Sequence, residues 1–212
     1  MRSALLLLFL LATPLWAAEG CGQSDEAGSH TRLGMIRQLV DEGRPYAALA
    51  HLDATGAKGP GADQLRADIL RRTGRPDEAR ALYRGLLATC LAPAGHHGLG
   101  LLAGQEGRIQ DSVNELRQAR LGLPADPRVR SDLGYALMLA GDLEGARHEF
   151  LTARDLAPED RKAALNLLLL YYRQGNEAEA EAQARRYEVG TDELTKLREE
   201  AARLAGQTGG KQ

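Results

Sequence analysis

The sequence predicts an all-α solenoid of about five helix pairs followed by one closing helix, and three observations carry that expectation. The first is a repeat. Gly43, Gly74, Gly107, Gly141 and Gly175 each stand five residues before a small residue, Ala48, Ala79, Ser112, Ala146 or Ala180, and four residues beyond those come Leu52, Tyr83, Leu116, Phe150 and Ala184. The Gly-to-Gly steps are 31, 33, 34 and 34 residues, a period at which each unit is too small to bury its apolar face without a neighbour. The second is composition: only 4% of the 212 residues are aromatic, while Ala, Leu, Arg and Glu dominate, which favours helices over sheets. The third is helical apolar spacing inside the best-formed unit, between Pro127 and Asp160.

The chain opens on an export signal. Arg2, the apolar run from Ala4 to Ala12 and the small residues of Pro14-Leu15-Trp16-Ala17-Ala18 read as a signal peptide over residues 1–17. The run falls short of the roughly 20 apolar residues a membrane span needs, so the mature chain is expected in the periplasm or at the inner leaflet of the outer membrane. A flexible segment, 18–28, comes next. Cys21 within it has three readings: lipidation, although Glu19 departs from the small residues usual before a lipidated cysteine; a disulfide with Cys90, suited to an oxidising compartment; or two unpaired thiols.

The repeat array then runs over residues 29–190, with units near 29–59, 60–92, 93–126, 127–160 and 161–190. In the first two, Gly43-Arg44-Pro45 and Gly74-Arg75-Pro76 put a tight reversal before a proline at the first position of the second helix. In the third, Gly98-Leu99-Gly100-Leu101-Leu102-Ala103 satisfies a dinucleotide-binding expression, but no strand precedes it, so these glycines read as close helix packing. In the fourth, Leu133, Leu137 and Ala140 share one side of a helix ending near Ala140. Gly141-Asp142 reverses the chain and caps the next helix, Ala146, Phe150 and Ala153 pack back, and Pro158 ends the pair. Gly134 and Ala146 lack bulk where the two backbones approach. In the fifth, Asn176 and Glu179 form an expected capping pair. Leu194, Leu197, Ala201 and Leu204 make the stripe of a helix over 191–206 expected to cap the end of the stack, and 207–212 is expected to be a disordered tail.

Charge and motifs argue against chemistry. The formal net charge is −2, and cleavage after Ala17 removes Arg2, leaving 26 basic against 29 acidic residues. No basic stripe with interleaved aromatics is present, so nucleic acid is not an expected partner. His96 and His97 are adjacent and diverge around a helix, which suits no shared metal. Glu159-Asp160 and Glu199-Glu200 read as solvated charge. No catalytic residue, metal site or cofactor is expected, and the chain reads as a binder of proteins, not an enzyme.

The 127–160 unit resembles a tetratricopeptide repeat through Leu133, Gly134, Ala146, Phe150 and Pro158, departing at Arg130 and Leu137. The preceding unit matches through Leu99, Gly100, Gly107, Ser112, Leu116, Ala119 and Pro124, and the following one through Leu167, Tyr171, Gly175 and Ala180. The resemblance implies a right-handed superhelix whose concave groove is lined by the first helix of each pair. Carried across, it puts His97, Leu101, Arg128, Ser131, Asp132, Tyr135, Lys162, Leu165, Asn166, Leu169 and Tyr172 in that groove. Asp132 and Asn166 are equivalent, and in similar repeats an Asn there holds an extended peptide backbone. Leu165 and Leu169 suit packing between repeats equally well.

A narrower resemblance rests on the signal segment, the repeat number and the runs Ser131-Asp132-Leu133-Gly134-Tyr135-Ala136-Leu137 and Ala164-Leu165-Asn166-Leu167. These are similar to the TadD family of Flp-type (tight adherence) pilus assembly proteins. That resemblance implies an envelope scaffold or chaperone, pilotin-like, whose partner is a secretin or other pilus component. The alternative is a periplasmic adaptor for another envelope system, such as the type IV pilus secretin or cytochrome c biogenesis.

Overall fold

The computed structural model describes residues 27–209. The expected signal peptide, Cys21 and residues 210–212 lie outside the described residues. Among those described there are eleven α-helices and no strand: α1 (Ala27–Asp41), α2 (Pro45–Thr55), α3 (Pro60–Arg72), α4 (Pro76–Leu86), α5 (Ala92–Gln105), α6 (Ile109–Gly122), α7 (Pro127–Ala140), α8 (Leu143–Leu156), α9 (Arg161–Arg173), α10 (Glu177–Arg186) and α11 (Thr191–Gly209). The first ten form five pairs. Ala27 and Gly28, expected to be flexible, are already helical, and α11 runs past the expected end at 206.

Each pair is made by the same local device. Gly43, Gly74, Gly107, Gly141 and Gly175 have φ of +75°, +77°, +74°, +89° and +71°, a left-handed backbone that a Cβ disfavours. The amide after each glycine then donates back to a carbonyl five residues earlier, as in Arg44 to Leu39 at 2.9 Å and Asp142 to Leu137 at 3.0 Å. Carbonyls at the end of the first helix are thereby satisfied while the chain reverses. Pro45 and Pro76 stand at the start of α2 and α4, where the missing N–H costs nothing. Asp142 Oδ1 caps α8 by accepting from the Gly145 amide at 2.9 Å. The capping pair expected in the fifth unit is half formed. Asn176 Oδ1 accepts from the Glu179 amide at 3.3 Å, but the Glu179 carboxylate takes the side-chain amide of Gln183 at 2.9 Å and does not return to Asn176.

Packing follows the sequence repeat. Ala48, Ala79, Ser112, Ala146 and Ala180 are buried, as are Leu52, Tyr83, Leu116, Phe150 and Ala184. Glycine on the facing first helix makes room for the bulky members. A Cβ on Gly98 would lie 2.2 Å from the Tyr83 ring, and one on Gly134 would lie 2.7 Å from the Phe150 ring. The Gly98-Leu99-Gly100 run is therefore a helix-packing surface in α5. Ala140, expected on the apolar side of α7, is exposed.

Three apolar clusters run along the chain, each shared between neighbouring helices, as a stack without one central core requires. Among the described residues one charged group is enclosed: Glu149, 4% exposed, accepts from Arg120 at 3.0 Å and Arg130 at 2.9 Å. Helices α3, α5, α7 and α9 each pack on the second helix of the pair before. The last helix breaks that rule. α11, the expected closing helix, packs mainly on α9, a first helix, and its Ala201 and Leu204 close the apolar cluster at the end of the stack. Among the described residues no helix is long and apolar enough to cross a membrane.

Candidate protein-binding face

The first helices α5, α7 and α9 hold the residues expected to line a groove, and the structure ties several of them to one another. His97 Nε2 on α5 lies 2.8 Å from Asp132 Oδ2 on α7. Since a carboxylate only accepts, the imidazole nitrogen donates. The other carboxylate oxygen accepts from Lys162 Nζ on α9 at 2.8 Å. Three consecutive repeats are thus linked through one carboxylate. Burial pushes the Asp132 carboxyl up, but the His97 hydrogen bond and the Lys162 charge outweigh it and hold the group below its ordinary range. Beside this ladder, Asn166 Nδ2 donates to Ser131 Oγ at 2.9 Å.

The two cross-helix bonds share a sequence separation of 35 residues. A residue and the one just past its equivalent in the next repeat therefore meet across adjacent first helices. That 35-residue spacing of His97 to Asp132 and of Ser131 to Asn166 is a signal legible in the sequence. Asp132 is committed to His97 and Lys162.

An apolar recess of about 240 Å³ opens between α5, α6 and α7. Leu101, Asp132 and Tyr135 line it, together with Gly104, Ile109 and Leu139, which were not anticipated. Gly104 leaves a gap in α5 that any larger residue would fill. Tyr135 is half-buried at its rim, and burial, then the Glu200 carboxylate of α11, push its hydroxyl up. This is a concave, mostly apolar site with one polar edge, suited to an inserted side chain.

The remaining expected residues separate. Arg128 is exposed at the start of α7, paired with Asp126 at 3.2 Å. Leu165 is half-buried, packed against the core. Ser131 at 1%, Leu169 at 4% and Tyr172 at 8% exposure are buried. Leu169 and Tyr172 belong to the apolar cluster that also takes in Leu194, Leu197, Ala201 and Leu204 of α11, and the Arg198 guanidinium lies 5.1 Å over the Tyr172 ring. α11 therefore covers the part of α9 around Tyr172, while Lys162 near its start stays exposed. His96, adjacent to His97, turns away to Glu115 at 2.7 Å. Cys90 is exposed in the turn between α4 and α5 and is disulfide-bonded.

Comparison with known proteins gives this geometry a setting. The family model described as tetratricopeptide repeat matches residues 33–92, 97–154 and 132–193. Over 174 residues the chain is 41% identical to the TPR repeat-containing protein PA4299 of Pseudomonas aeruginosa, covering 82% of this chain and 71% of that protein. Over 92 residues it is 34% identical to cellulose synthase operon protein C of Xanthomonas axonopodis pv. citri, covering 42% of this chain but only 6% of that protein. Among solved structures it is similar to TTC0263, a thermophilic TPR protein of Thermus thermophilus. The TM-score is 0.65 at 20% identity, with 82% of this chain and 97% of that chain covered. It is also similar to MamA from Desulfovibrio magneticus RS-1, with a TM-score of 0.57 at 18% identity, covering 76% and 94%. At those identities the structural likeness concerns the fold.

Proposed function

Because this chain belongs to the tetratricopeptide repeat family, whose members bind other proteins, we propose that it is a non-enzymatic envelope scaffold that supports assembly of a Flp-type (tight adherence) pilus. Its partner is a secretin or another pilus component, held through the first-helix face. The observation that carries the binding reading is the recess lined by Leu101, Asp132 and Tyr135, whose polar edge is Asp132, itself held by His97 and Lys162. A partner side chain would enter the recess, and the ladder would fix its register by charge.

The pilus assignment is supported by the resemblance of Ser131-Asp132-Leu133-Gly134-Tyr135-Ala136-Leu137 and Ala164-Leu165-Asn166-Leu167 to the TadD family, and the envelope location by the signal-like residues 1–17. The work is binding without covalent chemistry: a preformed helical surface shields a partner segment until it reaches its site of assembly. Crosslinking followed by affinity purification from the native envelope tests the reading. Tyr135→Ala is expected to weaken capture of the pilus component at least tenfold with helix content unchanged. Capture that survives both Tyr135→Ala and Asn166→Ala would defeat the binding face, and a partner from a different envelope system would replace the pilus assignment.

A further inference from the structure

Among the described residues the final helix differs from the first helices before it in its main packing partner. α3, α5, α7 and α9 stack on the second helix of the preceding pair, whereas α11 lies on α9. Between α10 and α11 an open cavity of about 380 Å³ remains, with Ala184, Val189 and Leu194 among its walls. A helix completing the stack would close that space. α11 also enters through Glu188, the one non-glycine residue with positive φ among the described residues, at +50°.

Its attachment resembles a ligand's. One apolar stripe, Leu194, Leu197, Ala201 and Leu204, faces the core, while most of the rest of the helix is exposed. Charged contacts flank the stripe: Glu193 with Arg161 at 2.7 Å and Arg198 with Glu181 at 3.3 Å, all of them solvent-accessible pairs of the kind that hold weakly. Beneath it the Tyr172 hydroxyl is buried with no hydrogen-bond partner among the described residues. The fit is apolar and incomplete.

We infer that α11 is a resident occupant of the part of the binding face around Tyr172 on α9, and that the cognate partner segment is an amphipathic helix that takes its place. This deepens the binding reading above and rests on it. The stripe sets the partner's chemistry: bulky apolar residues at i, i+3 and i+10, a small or apolar one at i+7, and an arginine at i+4 to lie over Tyr172. Leu169 and Tyr172, removed from solvent in the closed arrangement, become contact residues in the open one. The tethered helix competes at high effective concentration, so only a segment with a matching stripe displaces it.

The test uses the full mature chain and a fluorescently labelled synthetic peptide of residues 191–209. The variant Leu197→Asp with Leu204→Asp, which undocks α11, is expected to bind the peptide at least tenfold more tightly than wild type in an anisotropy titration. Equal binding by the two proteins, or a helical variant that binds no peptide, would overturn the inference. Hydrogen exchange of the wild-type chain decides the matter if the variant does not fold. Amides of α11 exchanging ahead of those of α9 support a displaceable helix, and the two helices exchanging together overturn it. Envelope capture that survives Tyr135→Ala and Asn166→Ala sinks the earlier reading without altering the peptide result, so the two failures are distinguishable.

Discussion

Asp132 on α7 and Lys162 on α9 are joined by a 2.8 Å hydrogen bond between side chains of adjacent repeats. The same carboxylate holds His97 of α5 on its other oxygen, so its ionisation links three units of the stack.

That linkage makes stability depend on acid. The folded-state carboxyl of Asp132 is held below its ordinary value of 3.8, so the folded state binds its proton less readily than the unfolded chain does. Its contribution is present above the unfolded value and is lost as pH falls through the folded one. Asp132→Asn should cost about 1 to 2 kcal/mol at neutral pH. The gap to wild type should close in acid, which thermal unfolding at several pH values would show. A gap that stays constant into acid would mean that the charge of Asp132 contributes nothing.

Two glycines of the same helical class should respond with opposite sign. Gly98→Ala drives a methyl into the buried Tyr83 ring, 2.2 Å away, and should destabilise by about 1 to 3 kcal/mol. Gly34, inside α1, has open space within 4 Å of the point where a methyl would stand, and Gly34→Ala should stabilise by about 0.5 to 1 kcal/mol through lost backbone freedom in the unfolded chain. Urea midpoints read both changes.

Glu149 is enclosed with two guanidinium groups. Glu149→Ala leaves Arg130, whose side chain is 14% exposed, without its partner and should cost about 2 to 4 kcal/mol. Glu149→Gln, which keeps an acceptor, should cost less. Equal losses would point to packing alone as the role of this side chain.

Processing and oxidation are read together by intact mass. If residues 1–17 are removed on export, the purified chain should lack tryptophan emission, because Trp16 is the sole tryptophan. It should also expose thiols only after reduction. A diacylglyceryl mass addition would assign Cys21 to lipidation instead.

The helix pairs were legible because their causes are local. A glycine in the left-handed region ends one helix and starts the next wherever it occurs. The residue pattern Ala146, Phe150, Ala153 buries one stripe whatever lies beyond it, as their complete burial records. The close approach at Gly134 and Ala146 was visible for the same reason, since two helices joined by a short turn must meet face to face. The half-formed Asn176–Glu179 cap shows where local reasoning ends: the Glu179 carboxylate takes the Gln183 side-chain amide, while the Asn176 amide donates to the Tyr171 carbonyl.

The sequence by itself determined an all-α stack of five pairs and the glycine reversal inside each pair. Tertiary structure decided which residues of the first-helix face are available. Ser131 is enclosed beside Asn166, Asp132 is neutralised by neighbours from both sides, and Leu169 and Tyr172 share an apolar cluster with α11. The physical reason is that periodicity specifies which side of a helix is apolar but not which surface will cover it. The stripe on α11 marks a closing helix, and only the assembled shape seats it chiefly on α9.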